Sequence, residues 1–500
     1  MKKPLFALLF YIAAATVNGQ DSLAIKYSNL IAESELREYL SILASDALEG
    51  RETGKRGQKM AAALISYHFE ENGLTAPVNG SYYQPFDLYS PMPGETYLKS
   101  AGLLFKNLED VAYSGTTESG GEVTVPIVFV GKGRAEDLNT VDVSGKATLV
   151  MMSRSDSYNP RDLIREKGGA MIFLVSPNPD DFSTTLSQVK NSYTRGQLSL
   201  MKYTYATGHT GTFYISQKVA EKIFGTTFDK LTKAAEADPK KSPLKRIKPA
   251  NVTYKTAMDN RLLKTENVLG YLEGTDKKDE VIVVTAHYDH IGKRRSGEGD
   301  LINNGADDDG SGTSAVMLMA KVFAKAKAEG KGPRRSILFM TVTAEEKGLF
   351  GSEYYTKNPV YPLNRTVVNL NIDMIGRRDA QHKDSPPYVY VIGADKLSTE
   401  LNRVSESVNN TYSKLLFDYT YNDQNHPDRL YYRSDHWNFA QNNIPIIFYF
   451  DGIHEDYHRV TDEVEKIEFD LLAKRTQCVF LTAWEIANRE ERIMPDVKKE

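Results

Sequence analysis

Two side chains suited to metal chemistry follow a strongly apolar strand pattern. Residues 281–285 read Val-Ile-Val-Val-Thr and predict a buried strand of a mostly parallel sheet. His287 and Asp289 come directly after this strand. A metal-binding histidine needs a partner at its other ring nitrogen to fix its tautomer, and a carboxylate can supply that partner. We therefore predict that His287 binds a metal ion and that Asp289 orients the imidazole of His287.

Three adjacent aspartates at positions 307–309 form a second candidate site. They lie between Gly305 and a helical pattern over residues 313–326. Taken alone, the triplet also fits a calcium loop or a solvated acidic turn. The spacing of an EF-hand fails, because Gly305 stands where the first acidic ligand should be. A transition-metal site shared with His287 is the better interpretation.

Three further predicted strands end in residues of the same kind. They span residues 336–343, 367–372 and 444–450, and the candidates that follow them are Glu345, Glu346, Asp373, His454 and His458. The carboxyl ends of parallel strands meet at one edge of an open α/β sheet, which is where ligands bind. The sequence therefore predicts one convergent site.

These motifs, in this order, resemble peptidase family M28, whose members are co-catalytic zinc peptidases. The motifs are His287-x-Asp289, Gly-Ala-Asp-Asp308-Asp-x-Ser-Gly, Glu345-Glu346-x-Gly-Leu-x-Gly-Ser, Asn371-x-Asp373-Met-x-Gly and Tyr457-His458. The resemblance covers nearly all of the chain after its N-terminal segment. It implies an α/β zinc-peptidase fold, with a mostly parallel mixed sheet flanked by helices and an inserted β-rich protease-associated domain.

The resemblance also implies the roles of individual residues. Two zinc ions would be bound by five ligands, with His287 and Asp373 on one ion, Glu346 and His458 on the other, and Asp308 bridging them. Glu345 would act as general base, and Tyr457 would donate to the developing oxyanion. A cis peptide bond between Asp308 and Asp309 is common among similar proteins.

The chemistry of such a site is consistent with these roles. Two zinc ions about 3.5–4 Å apart can activate a water molecule and polarise a carbonyl group, and aminopeptidases are among the enzymes that use such two-metal sites. A carboxylate that does not bind metal must still accept a proton. In an extended segment Glu345 and Glu346 point in different directions, so one can bind metal while the other faces the water. The ligand set suits zinc but also accepts cobalt or manganese.

Other histidines give competing interpretations. The segment from His454 to His458 matches the HExxH motif of single-zinc proteases, but that motif requires a helix, and here it follows a strand and Gly452. Four histidines are not assigned as ligands, namely His290, His382, His426 and His436. We interpret His290 as an outer-sphere or surface residue. His436 lies either near the substrate cleft, as in similar proteins, or exposed in a loop.

Composition limits the class of protein. The 500 residues, 41% of them apolar, allow two or three domains with real cores. A formal net charge of −4 gives no basic surplus, so we expect no binding to nucleic acid. The single cysteine, Cys478, cannot form an internal disulfide and is predicted to lie in the core.

The chain divides into four predicted segments. Residues 1–19 combine Lys2 and Lys3 with an apolar run and predict a signal peptide, so we expect a secreted or periplasmic protein with no stable membrane insertion. Residues 20–115 would begin the peptidase domain and include a Leu-x-Gly-Arg motif ending at Arg51. Residues 116–250 have short strands, one helical segment and glycine-punctuated turns that resemble a protease-associated domain. Residues 251–500 would complete the catalytic domain.

These observations favour a secreted metallo-exopeptidase that acts on peptides, most simply an aminopeptidase. A carboxypeptidase or a glutaminyl cyclase on the same scaffold is the alternative among enzymes. A non-catalytic receptor-like relative is the alternative outside them. The side-chain preference of the substrate pocket and the oligomeric state stay open.

Overall fold

A computed structural model describes residues 20–194, 197–208, 211–238 and 243–497. The predicted signal peptide, residues 1–19, lies outside these ranges. The strands are β1 (Tyr83–Pro93), β2 (Tyr97–Ser100), β3 (Leu103–Lys106), β4 (Val111–Ser114), β5 (Thr117–Glu118), β6 (Val123–Phe129), β7 (Ala147–Met151), β8 (Met171–Val175), β9 (Ala206–Thr207), β10 (Thr212–Ile215), β11 (Ala250–Lys255), β12 (Met258–Leu272), β13 (Lys277–His287), β14 (Arg335–Val342), β15 (Thr366–Ile372), β16 (Tyr388–Ile392), β17 (Leu416–Asp418) and β18 (Ile446–Phe450).

The α-helices are α1 (Ser22–Ser28), α2 (Glu33–Leu43), α3 (Arg56–Glu71), α4 (Ala135–Leu138), α5 (Arg161–Glu166), α6 (Asp180–Thr194), α7 (Gln217–Phe224), α8 (Phe228–Glu236), α9 (Gly312–Ala328), α10 (Phe350–Lys357), α11 (Thr399–Val408), α12 (His436–Gln441) and α13 (Phe469–Asn488). None of the helices in the described ranges is long and apolar enough to cross a membrane.

The chain forms two compact units. One, the main unit, contains the described residues up to Phe86 and those from Lys264 onward, and the other, the inserted unit, is Asp87–Leu263. The inserted unit extends beyond the predicted segment 116–250 at both ends. The reason is strand pairing, because β2 pairs with β11 and β4 pairs with β10, which brings residues before 116 into its sheet.

The main unit is built on an eight-stranded sheet in the order β1-β12-β14-β13-β15-β18-β16-β17. Strands β14, β13, β15 and β18 are mutually parallel, whereas β12 and β16 pair antiparallel with their neighbours β14 and β18. The predicted mostly parallel mixed sheet is confirmed.

Both faces of this sheet are covered, which explains the continuous apolar runs of its central strands. Successive residues of β13 alternate between two cores, so that Ile282 and Val284 pack with α9 and α13, and Val283 packs on the opposite face with α10 and α12. Cys478 on α13 is fully buried in the first core, as predicted.

The inserted unit has its own eight-stranded sheet, in the order β3-β2-β11-β6-β7-β8-β10-β4. Strands β6, β7, β8 and β10 are parallel, and the remaining pairs are antiparallel. Leu149 of β7 and Leu231 of α8 lie in the core on one face, and Ile164 of α5 lies in the core on the other. The unit contains helices α4 to α8, more than the one helical segment that the sequence predicts.

Candidate active site

The predicted metal ligands come together at the carboxyl edge of the main sheet. His287 ends β13, Asp373 directly follows β15, and Glu346 lies four residues after the end of β14. Asp308 lies in the irregular helical turn that leads into α9, and His458 follows β18 in a turn. Parallel strands therefore deliver these side chains to one place.

One group of ligands surrounds the His287 imidazole. Its Nε2 atom lies 3.2 Å from Oδ1 of Asp308 and 3.5 Å from Oδ1 of Asp373. Ligands that bind a tetrahedral zinc at about 2.0–2.2 Å lie roughly 3.3 Å apart. The three buried side chains therefore have the spacing that a shared zinc ion requires.

A second group lies on the other side of Asp308. Nε2 of His458 is 3.1 Å from Oδ2 of Asp308 and 3.0 Å from Oε2 of Glu346. Asp308 thus turns one oxygen toward each group, as a bridging carboxylate must. Oδ2 of Asp308 and Oε1 of Glu346 are buried and make no hydrogen bond of acceptable geometry although imidazole nitrogens lie close by, and a bound cation would satisfy both oxygens.

The acids of the site are strongly perturbed. Burial opposes ionisation of Asp308, but the nearby imidazoles of His290, His287 and His458 hold its pKa well below the ordinary value. Glu345 behaves in the opposite way. Burial, together with the charges of Glu346 and Asp373, raises the pKa of Glu345 well above the ordinary value in spite of the nearby His287. Two neighbouring carboxyl groups of the site therefore have pKa shifts of opposite direction.

The segment that carries these residues, 267–483, matches the model of peptidase family M28. This segment of the chain resembles an M28 peptidase domain. The resemblance predicted from the motifs and the prediction of a metallopeptidase are thereby confirmed.

Similar proteins extend this result. Over 457 residues, which are 90% of this chain and 84% of the relative, the sequence is 26% identical to aminopeptidase YwaD of Bacillus subtilis (strain 168). It is 28% identical over 268 residues to a probable zinc metalloprotease of Pyrenophora tritici-repentis (strain Pt-1C-BFP), covering 44% of this chain and 51% of that protein. Among solved structures, an aminopeptidase from Aneurinibacillus sp. strain AM-1 aligns with a TM-score of 0.49 at 18% identity, over 95% of this chain and 98% of that one.

The three adjacent aspartates at positions 307–309 have different partners. Asp308 faces the two ligand groups. Oδ1 of Asp307 accepts from the Gly376 N–H at 2.7 Å, and its Oδ2 lies 3.2 Å from Nε2 of His454. The carboxylate of Asp309 accepts from three backbone N–H groups, those of His287, Gly312 and Met374. Only one of the three acids is thus free for metal, and its neighbours fix the loops around it. The peptide bond between Asp308 and Asp309 is cis.

Asp289 contacts His287 in a different way from the one predicted. Nδ1 of His287 lies 3.0 Å from the backbone oxygen of Asp289, whereas the nearer carboxylate oxygen is 3.9 Å away. The Asp289 carboxylate instead accepts from the Thr53 hydroxyl at 2.6 Å and from the Glu345 N–H at 3.2 Å. Its side chain therefore positions the segment that begins at Glu345, and its backbone orients the imidazole of His287.

Arg51 is a site residue whose role the sequence does not predict. Its guanidinium is buried and donates to four backbone carbonyls, those of Leu43, Tyr288, Asn304 and Gly305. These bonds tie the N-terminal segment to the strand end after His287 and to the loop before the aspartates. The Leu-x-Gly-Arg motif was the available signal, although it gives no partner.

Two residues that are not predicted ligands, Ser434 and Asn371, hold the side chain of Asp373 in place. The Ser434 hydroxyl donates to Oδ2 of Asp373 at 2.6 Å, and the Asn371 amide donates to Ser434 at 2.9 Å. Asp373 thus keeps Oδ1 directed toward His287. Outer hydrogen bonds of this kind orient metal ligands.

The remaining histidines are buried or distant from the ligand groups. His290 is fully buried, so the surface alternative for it is wrong. His436 is also buried and stacks on Phe448, so the exposed-loop alternative is wrong as well. The segment from His454 to His458 forms turns and no helix, which removes the single-zinc interpretation.

A narrow pocket opens beside the ligands. His287, Asp308, Glu345 and Asp373 form its polar side, and its other walls are mainly apolar, formed by Met374, Leu430, Phe448, Phe450, Ile453 and Tyr457 together with Arg433. Phe448 and Phe450 come from the final strand, β18. The pocket can therefore hold a ligand that has a small apolar side chain against the apolar walls and polar backbone groups against the polar side.

Proposed function

We propose that this protein is a secreted aminopeptidase that hydrolyses the first peptide bond of its substrates with two zinc ions. The observation that carries the proposal is the bridging position of Asp308, which has one oxygen 3.2 Å from His287 and the other 3.1 Å from His458. A site for a single ion would not need ligands on both oxygens. The signal pattern in residues 1–19 supports secretion.

The side chains fit the ions that the family uses. His287 and Asp373 would hold one zinc, Glu346 and His458 the other, and Asp308 both. Bound zinc would supply Lewis-acid polarisation of the scissile carbonyl and would lower the pKa of an attacking water molecule. Buried histidine and carboxylate ligands in this number are typical of zinc.

Glu345 is the residue that we assign to proton transfer. It lies at the edge of the first group, with Oε2 4.0 Å from Nε2 of His287, and Asp289 holds its backbone N–H. Burial raises its pKa, which makes it a better acceptor for the proton of the attacking water. The same carboxyl group then gives the proton to the leaving amine.

Tyr457 is assigned to the carbonyl oxygen. Its ring stacks on the ligand His458 with ring centres 4.0 Å apart, and it lines the pocket. Burial, followed by the charges of Asp308 and Glu346, raises the pKa of its phenol. The hydroxyl therefore keeps its proton at neutral pH and can donate to the oxygen as negative charge develops there.

The similarity to aminopeptidase YwaD of Bacillus subtilis, which covers 90% of this chain, favours an aminopeptidase over a carboxypeptidase. In the pocket, Glu345 is the lining carboxylate that is not assigned to metal, and it can accept a hydrogen bond from the free amino group of a substrate. One observation supports the alternative. Arg433 lines the same pocket and could receive a terminal carboxylate. A receptor without catalysis is less well supported, because such a protein has no use for Glu345.

The test compares three substrates on the zinc-loaded protein: leucinamide, N-acetyl-leucinamide and N-acetyl-leucyl-leucine. An aminopeptidase cleaves only the first. Cleavage of the third alone would establish the carboxypeptidase, and cleavage of none would favour the receptor.

Metal removal is the second part of this test. Exhaustive chelation should abolish cleavage of leucinamide, and two equivalents of zinc should restore it, whereas magnesium should not. Activity in a sample shown to be free of metal would contradict the two-zinc mechanism.

A further inference from the structure

We infer that His290 is a sixth metal ligand, which binds the ion held by Glu346 and His458. This inference rests on the proposed two-zinc function and departs from the five-ligand pattern that the family resemblance implies. It gives the second ion two imidazoles and leaves the first ion with one.

The first observation is a set of unpaired buried atoms that face one another. Nδ1 of His290 lies 2.8 Å from Oε1 of Glu346 and 3.8 Å from Oδ2 of Asp308. His290 is 0% exposed. Nδ1 and Oε1 are within hydrogen-bond distance, but none of the three atoms makes a hydrogen bond of acceptable geometry within the described residues. His290, Asp308 and Glu346 also form a group with the spacing to hold one metal ion. Buried polar atoms are nearly always paired, so their convergence indicates a cation among them.

The second observation is the geometry of the two imidazoles. The rings of His290 and His458 have centres 5.7 Å apart and an interplanar angle of 67°. Two imidazoles that bind one zinc at about 2.0–2.1 Å and near-tetrahedral angles bring their ring centres roughly 5–6 Å apart. Each ring also faces a different oxygen of Glu346, with His290 at Oε1 and His458 at Oε2.

The third observation is that the backbone holds His290 in this position. Its N–H donates to the Arg51 carbonyl at 3.2 Å. Gly305 passes so close that a Cβ atom there would lie 2.6 Å from Cδ2 of His290, and its φ of +59° also favours glycine. The imidazole is therefore confined against the loop that carries Asp308 and cannot turn away freely.

The two histidine ligands proposed for the second ion differ in their surroundings. The His458 side chain is 36% exposed, whereas His290 is enclosed by protein. A buried ligand that is fixed in advance loses little freedom on binding metal. We therefore expect His290 to contribute at least as much affinity for the second zinc as His458 does.

The experiment measures zinc content and zinc affinity in His290→Ala, His290→Asn and His458→Ala. Zinc per chain is determined after gel filtration, and affinity is determined by competition with a chromophoric chelator. Both variants of His290 should keep one tight zinc and bind the second about 100-fold or more weakly, like His458→Ala. Asparagine keeps a hydrogen-bond donor for Glu346 but is a poor zinc ligand, so it separates binding from orientation.

Several results would overturn the inference. Wild-type affinity for both ions in His290→Ala would do so, as would a second zinc retained in His290→Asn but lost in His290→Ala, which would make His290 a positioning residue. His68→Ala, at another buried histidine, is the matched control and should keep both ions. Thermal melting of each variant checks folding. If wild-type protein holds fewer than two ions or does not cleave leucinamide, the proposed function itself fails, and this outcome is distinct from the others.

Discussion

The two units contain similar sheets but different sheet edges. Four adjacent strands are parallel in each, β14-β13-β15-β18 in the main unit and β6-β7-β8-β10 in the inserted unit. In the described residues, the groups of histidine and acidic side chains that could share a metal all lie in the main unit. Strands β8 and β10 of the inserted unit are followed instead by serines, Ser176 and Ser216. The carboxyl edge of a parallel sheet therefore brings side chains together, but the residue types at that edge decide whether they can bind a metal.

The main unit has left-handed residues and buried carboxylates, both energetically unfavourable, at the carboxyl edge of its sheet. Residues beside the ligands adopt left-handed backbone conformations, with φ of 60° at Ala344, 58° at Met374 and 58° at His458. Such conformations are unfavourable for residues other than glycine and are concentrated at functional sites. Buried carboxylates also require cations or hydrogen bonds. Left-handed residues also occur in the inserted unit, at Ala101 and Leu108, so the main unit is distinguished by their position beside the predicted ligands.

The largest effect on activity is expected from a substitution of Glu345, at the carboxyl edge of the main sheet. Glu345→Gln keeps the shape of the side chain but removes its capacity to accept a proton, so kcat should fall about 100-fold to 10,000-fold. Zinc content should stay at two ions per chain, because Glu345 is not a ligand. Steady-state kinetics on leucinamide and metal analysis of the same sample measure both quantities.

Glu346→Ala is the control for this variant. It should lose the second zinc as well as activity, because it removes a ligand. If Glu345→Gln emptied a metal site while Glu346→Ala kept both ions, the roles of the two residues would have to be exchanged.

A smaller effect is expected at the hydrogen bond that orients Asp373. Ser434→Ala should weaken binding of the first zinc about 10-fold to 100-fold, since outer partners tune metal affinity to this extent. Chelator competition measures the change.

Ser216→Ala in the inserted unit is the matched serine variant. Ser216 caps α7 by accepting from the Val219 N–H at 3.3 Å. Its loss should destabilise the unit by about 1 kcal/mol and leave zinc affinity unchanged. Equal loss of zinc in the two variants would contradict a specific role for Ser434.

The smallest effect on activity is expected from the core of the inserted unit. Leu149→Ala removes a fully buried side chain of β7 and should cost about 2–5 kcal/mol of stability. Zinc content and kcat on leucinamide should be unchanged at temperatures where the protein stays folded. Urea denaturation and kinetics provide the two measurements. A fall in kcat as large as that of Glu345→Gln would remove the distinction between the units.

Local patterns were sufficient to predict the four central strands of the main sheet, β13, β14, β15 and β18. The apolar runs before His287 and Asp373 became β13 and β15, because strand periodicity and the residues that follow a strand are both local in sequence. The assignments of Glu345, Tyr457 and the five ligands stay predictions that the variants above can test.

Long-range contacts could not be predicted in this way. Arg51 bonds to carbonyls more than 200 residues away, and a single sequence gives no sign of those partners. The burial of His290 depends on the same packing. The bounds of the inserted unit depend on pairing between β2 and β11, which are far apart in sequence. Its identity as a protease-associated domain and the signal peptide also stay predictions.

The ligands are spread along the chain and are therefore synthesised at different times. The ribosome adds Arg51 first, His287 more than 200 residues later, and His458 last of the three. Until His458 has been added, the second predicted ligand group is incomplete. The order of these residues therefore prevents both predicted groups from forming before His458 is synthesised.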